Sequence, residues 1–213
     1  MKKGINKITP AFILSMITAA WIGVSYASWT DSISIQGTVD TGTVKWEFSG
    51  VPSQSDLGLD WNCFWDLESG YHVLMDKDVA STIVKYEDPE HPHVMTVTIN
   101  NAYPYYYNHI SFNVHYYGSI PARIWKVNFI VDSKIKKTIY KSDEYIYLDL
   151  NGDGQNDIEI WWGDGFGKQL HYCSKHATGF DILVLQPAPQ GKTLNFQIEL
   201  VCIQWNEYTT PNL

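Results

Sequence analysis

The segment "SWTDSISIQGTVDTGTV", residues 28–44, places Trp29, Ile33, Ile35 and Val39 on one parity, with mostly polar residues on the other. That period of two predicts a strand with one buried face. The same alternation recurs in "MTVTI", "ISFNVHY" and "LNFQIELVCIQW". Along the whole chain it predicts strands at 29–36, 38–48, 71–75, 79–86, 93–100, 109–117, 121–131, 144–149, 157–162, 180–186 and 192–205. Turn-forming stretches separate them: "SGVPSQSDLG", "DPEHP", "NNAYP", "YGSIP", "NGDGQN" and "QPAPQG". No convincing helical period follows the first 27 residues. Residues 52–70 read as a long loop carrying Trp61, Cys63 and Trp65, and 164–178 as the place for a short helical turn. Many short strands at this spacing predict an all-β fold, an antiparallel β-sandwich of jelly-roll type, in one domain over 28–213.

The opening "MKKGINKITPAFILSMITAAWIGVSYA" has a basic start at Lys2, Lys3 and Lys7, an apolar run from Ala11 to Val24, and small residues at Ser25 and Ala27. This predicts a secretory signal peptide over 1–27 and an extracellular product. The alternative is a retained membrane anchor, for which the run is short. Removing 1–27 deletes three lysines and no acids, which takes the net charge from −8 to −11. So acidic a protein is poorly suited to binding nucleic acid. Outside the cell, two of Cys63, Cys173 and Cys202 are expected to form a disulfide, with one thiol left over. The pairing is open, and a buried inert thiol also suits Cys202, which sits within a strand pattern.

The sharpest local signal for chemistry is "YLDLNGDGQNDIEIW". Asp149, Asn151, Asp153 and Asp157 stand at offsets 1, 3, 5 and 9, with glycines at 152 and 154. Several oxygen donors around a tight turn suit calcium, with the Gln155 carbonyl as a further ligand. The run resembles the D-x-N-x-D-G-x-x-D loops of dockerins and of some β-propeller blades. It departs from an EF-hand, because Ile160 replaces the bidentate Glu. The bland alternative is a metal-free turn of Asn, Gly and Asp. A second cluster, Glu87, Asp88, Glu90, His91 and His93, reads as a solvated loop between prolines rather than a zinc or copper site. H-E-x-x-H, G-x-S-x-G and phosphate-loop motifs are all missing, so an enzyme is not expected. Trp161 and Trp162 are adjacent, so one ring should point inward and the other outward.

The first strand raises the question of function. Burying four large side chains would contribute about 6–12 kcal/mol. That rivals the net stability of a domain, about 5–15 kcal/mol. Such a strand pairs either with its own sheet or with another copy by strand addition. Residues 28–44 resemble the N-terminal signature W-x-D-x-[IL]-x-[IV]-x-G-x-V-x-T-G of the TasA/camelysin-like secreted proteins, which include archaeal bundling-pilus subunits. "VTINNAYPYYYNHISFNVHYYGSIPARI", "GDGFGKQLH" and "VLQPAPQGKTLNFQIELVCIQWNEY" are similar to further segments of that archaeal branch. The resemblance implies a filament subunit that polymerises with itself by donor-strand complementation, with a donor strand at about 28–39 and Trp29, Ile33, Ile35 and Val39 as inserting residues. Lateral bundling in a biofilm matrix is implied as well. The stretches 52–90 and 132–162 lie outside the resemblance, so the calcium loop does not follow from it. Two other readings are a carbohydrate-binding surface module and a camelysin-like metallopeptidase. The missing zinc-protease motif speaks against the latter.

Overall fold

The computed structural model describes residues 8–27, 41–54, 56, 58–66, 70–86, 93–142 and 144–208. It divides into two units, residues 1–41 and 42–213. The first contains α1 (Ile8–Ala27), built on the apolar run from Ala11 to Val24. No helix among the described residues is long and apolar enough to cross a membrane.

The second unit is an antiparallel sandwich of two packed sheets, as the alternation predicts. Its strands are β1 (Trp46–Gln54), β2 (Trp61–Asp66), β3 (Tyr71–Leu74), β4 (Ser81–Tyr86), β5 (Val94–Ala102), β6 (Tyr106–Tyr116) and β7 (Ala122–Val131). Then come β8 (Lys134–Ile139), β9 (Tyr145–Leu148), β10 (Ile158–Trp162), β11 (Gln169–Leu170), β12 (Lys175–Val184) and β13 (Lys192–Gln204). One sheet runs β3-β2-β6-β12-β10-β9, with β1 also paired to β6. The other runs β11-β7-β13-β5-β4, with β8 also paired to β7.

Several elements differ from expectation, each for a local reason. Within the strand expected at 38–48, residues 38–40 lie outside the described residues, 41–45 are not in a strand, and β1 runs from Trp46 through "SGVPSQ" by means of a register shift between Ser49 and Ser53. Gly50, at φ +76, lies within that irregularity. β2 forms inside the expected 52–70 loop, where its aromatic residues pair with β3 and β6. β8 escaped the pattern because its outer positions are lysines and almost nothing in it is buried. β12 starts at Lys175, not at 180, and β11 precedes it where a helical turn was expected. Its early inward positions are His176 and Thr178, polar residues that break the apolar alternation yet are buried.

Between the sheets lies one continuous apolar core. Its centre is aromatic. Trp162 stacks on Phe180 at 5.4 Å with an interplanar angle of 10°. Phe112 meets Trp162 edge-on at 6.0 Å, and Phe129 reaches it from the opposite sheet at 6.2 Å. Trp162, fully buried, therefore joins both layers. Trp162→Ala is expected to lower stability by about 3–5 kcal/mol through lost burial and a residual cavity. Urea unfolding should show a lower midpoint with an unchanged slope.

Candidate functional site

Trp29, Ile33, Ile35 and Val39 lie outside the described residues. What is described is the point where their segment enters the sandwich. Thr43 N–H donates to Ser119 Oγ at 2.9 Å, and Tyr117 N–H and Gly118 N–H donate to Lys45 O at 2.9 and 3.0 Å. A Cβ on Gly42 would lie 2.0 Å from Ile120 Cγ2, so only glycine fits this close approach. The "TGT" and "YGSIP" stretches thus pin the chain's entry into β1.

Two sheet edges lie side by side along one flank, β1 of one sheet and β4 of the other. Phe48 of β1 stacks on Tyr86 of β4 at 5.2 Å, and Trp46 stacks on His93 at 4.2 Å. The sequence predicts a solvated loop around His93. It is half-buried instead, and burial pushes its pKa below the ordinary histidine value. The other members of that cluster, at 87–91, lie outside the described residues.

β4 is the last strand of its sheet, and no strand among the described residues pairs with its outer side. Thr82 N–H donates to Asp56 Oδ2 at 2.9 Å, so it points away from β5. Main-chain groups alternate sides along an antiparallel strand. Val84 and Tyr86 therefore present theirs to the same open side. Ile83 and Val79 are apolar and exposed nearby. Within the seam, Tyr86 OH and His93 Nδ1 are buried without hydrogen-bond partners among the described residues.

Two acids outside the predicted clusters, Asp60 and Asp56, set this edge. Asp60 is fully buried, and its carboxylate accepts Val79 N–H at 3.1 Å, Ala80 N–H at 3.4 Å and the Tyr103 hydroxyl at 2.7 Å. Burial and Asp60 together push the Tyr103 phenol up. Asp56 accepts the Tyr106 hydroxyl as well as Thr82 N–H, and burial raises its pKa. A lone acid within the apolar run "LGLDWNCFW" was the signal available for Asp60.

The acidic turn between β9 and β10 closes on itself. Asp149 accepts Gly152 N–H at 2.6 Å and Gly154 N–H at 2.8 Å. Asn151 Oδ1 accepts Asp153 N–H, and Asp153 Oδ1 accepts Gln155 N–H, each at 2.8 Å. Asp157 is fully buried and accepts Leu150 N–H at 2.7 Å. Burial raises its pKa, and Asp153 and Asp149 add to that. The Asn151 amide nitrogen lies 3.2 Å from both Asp153 Oδ2 and Asp157 Oδ1. The donor chemistry is all oxygen and suits calcium. As the turn stands, however, an amide occupies the space between two carboxylates. No three His, Cys, Asp or Glu among the described residues are disposed to hold a metal.

Cys173 is an exposed free thiol, and Cys202 is free and half-buried. The expected disulfide therefore does not join these two. Cys173 stands in a turn, whereas Cys202 is in β13, where burial pushes its thiol up and leaves it inert. Cys63 is in β2, with its side chain outside the described residues. Trp161 and Trp162 divide as predicted, Trp162 into the core and Trp161 outward. No protein-family model, no curated protein and no solved structure matches this chain.

Removing the Asp60 carboxylate would orphan Tyr103 OH and the Val79 amide. Asp60→Ala is expected to cost about 1–3 kcal/mol. It should also speed hydrogen exchange at Val79 and Ala80 more than in β13, measured by exchange mass spectrometry.

Proposed function

We propose that the protein is a structural subunit of an extracellular filament, built by donation of the 28–39 strand from one copy to the open flank of the next. The observation that carries this reading is the fit between a donor and an acceptor. An apolar alternating segment stands at the entry to the sandwich, and β4 offers an unpaired edge beside the aromatic seam of β1. A strand added to β4 gains main-chain hydrogen bonds from Val84 and Tyr86. It turns Trp29, Ile33, Ile35 and Val39 inward against Phe48, Val84 and Tyr86. Its polar main chain also lies near Tyr86 OH and His93 Nδ1, buried groups of a kind that normally find partners. The resemblance of residues 28–44 to the TasA/camelysin-like signature supports the same reading.

Donation from one copy to the next is head-to-tail, and such a contact builds an open filament unless its rotation closes a ring. Removal of the 1–27 leader acts as the switch, since a strand tied to a leader is not free to insert. Deleting 28–36 is expected to leave soluble monomers, read by sedimentation and negative-stain microscopy. Filaments that persist after the deletion would refute the proposal. Ile33→Asp should weaken polymerisation by burying an unpaired charge. The acceptor has its own test in Val84→Pro. The lost N–H is one that faces the open side, and proline is tolerated at such edge positions. This variant should keep its fold by circular dichroism and yet fail to accept a strand. Mixed with wild type, it should cap growing ends.

Calcium belongs to the same proposal as a structural ion. The observation in its favour is Asp157, a buried carboxylate beside two further acids. Asp149, Asn151, Asp153 and Asp157, with the Gln155 carbonyl, are the oxygens that would hold the ion, and its charge would offset the burial of Asp157. Chelator is expected to lower the melting temperature, and added calcium to restore it. Asp153→Ala should abolish that difference. An identical melting curve with and without chelator contradicts the calcium reading and leaves strand donation untouched.

A further inference from the structure

The outer face of the β1-containing sheet carries a second feature that strand donation does not use. Cross-strand register builds it in rows. Tyr107, Leu183, Glu159 and Tyr147 follow one another across β6, β12, β10 and β9, and the next row is His109, Asp181, Trp161 and Tyr145. Beyond them the facing residues are Gly179 and Gly163, where Gly163 N–H donates to Gly179 O at 3.0 Å. A Cβ on Gly179 would lie 2.5 Å from Ile110 O, so the strands approach too closely there for a side chain. Aromatic and acidic rows beside a bare stretch of backbone make a cleft of about 350 Å³, lined by His72, Tyr107, Tyr145, Glu159, Trp161 and Asp181 among others. That is at the lower end of ligand-pocket volumes, roughly 300–1,000 Å³.

The polar groups of the cleft are held in place. Asp181 Oδ1 lies 2.6 Å from His109 Nδ1, and the Tyr107 hydroxyl is hydrogen-bonded to the same carboxylate. Glu159 is hydrogen-bonded by the Tyr147 hydroxyl. His72 stacks on Tyr107 at 3.6 Å. Each carboxylate keeps further lone pairs free of these donors. The cleft thus offers flat apolar ring surface bordered by fixed hydrogen-bond acceptors.

We infer that this cleft binds a neutral glycan. A pyranose ring has one face of C–H groups and a rim of hydroxyl donors. The face suits Trp161 and Tyr145, and the rim suits Asp181 and Glu159. Two carboxylates exclude uronic and other acidic sugars by repulsion and desolvation. An extended peptide is disfavoured, because the cleft lies on the face of the sheet over β6, β12 and β10, whose main-chain groups are paired with neighbouring strands. A bare cation is disfavoured too, since both carboxylates already have donors on one side and the site is open rather than an enclosing aromatic cage.

The test is calorimetric titration of the purified chain. The probes are neutral gluco-, manno-, galacto- and N-acetylglucosamine oligosaccharides, with a galacturonate oligomer and a lysine-rich peptide as contrasts. At least one neutral series should bind, and the two contrast probes should not. Trp161→Ala should weaken that binding at least tenfold, as should Asp181→Asn, which keeps the side-chain shape. Trp205→Ala, which removes an exposed tryptophan beyond β13 in the other sheet, should leave it unchanged. No binding across the neutral panel overturns the inference. So does binding unaffected by Trp161→Ala, or a cleft that takes only the peptide. None of these outcomes depends on whether strand donation is correct.

Discussion

The pleat is the constraint from which the rest of this sandwich follows. Successive residues on a strand face opposite sides, so fixing the inner register of a strand pair fixes the outer register as well. In β10 and β12 the inner register is fixed by Trp162 opposite Phe180, stacked and fully buried in the core. One residue earlier, the same pairing must set Trp161 opposite Asp181 on the outer face. A slip of β10 by one position would turn Trp161 and Glu159 into the core and Trp162 out of it. The core therefore protects the arrangement of the cleft, although no cleft residue is needed for the sheets to pack.

Edges impose the second constraint. An unpaired strand is a template for another chain, and soluble proteins usually defend it. The two flanks of this sandwich are treated differently. β8 carries Lys134, Lys136 and Lys137 along a mostly exposed strand, a charged edge that resists pairing. β4 has one of its outward amides covered by Asp56 and otherwise alternates Thr82, Val84 and Tyr86 with Ile83 and Lys85. Defence on one flank and an apolar, half-open edge on the other is the asymmetry that a polar, head-to-tail polymer requires. Buried Asp60 holds the chain leading into β4, so the proposed acceptor edge is built on a fixed base.

Much of this architecture was legible in the sequence because alternation is strong wherever apolar side chains fill the inward positions, as in β5, β6, β7 and β13. It failed where polar residues face in or charged residues cover an edge. His176 and Thr178 hid the start of β12, and the lysines hid β8. Aromatic crowding in "WNCFWD" looked like a loop because the period is irregular, and its register does shift between Trp61 and Trp65. The inward and outward assignment of Trp162 and Trp161 followed from adjacency alone. The cleft did not, because it joins residues from five strands that only the topology brings together. His93 was misread because its sequence neighbours are polar, whereas its spatial neighbour is Trp46.

Strand donation is the central claim, and the most direct measurement is a cryo-EM map of the assembled protein after leader removal. The account predicts density for residues 28–39 running along β4 of an adjacent subunit, with Trp29, Ile33, Ile35 and Val39 turned toward that subunit's seam of Phe48, Val84 and Tyr86. Density for the same residues docked on their own subunit's sheet would contradict it.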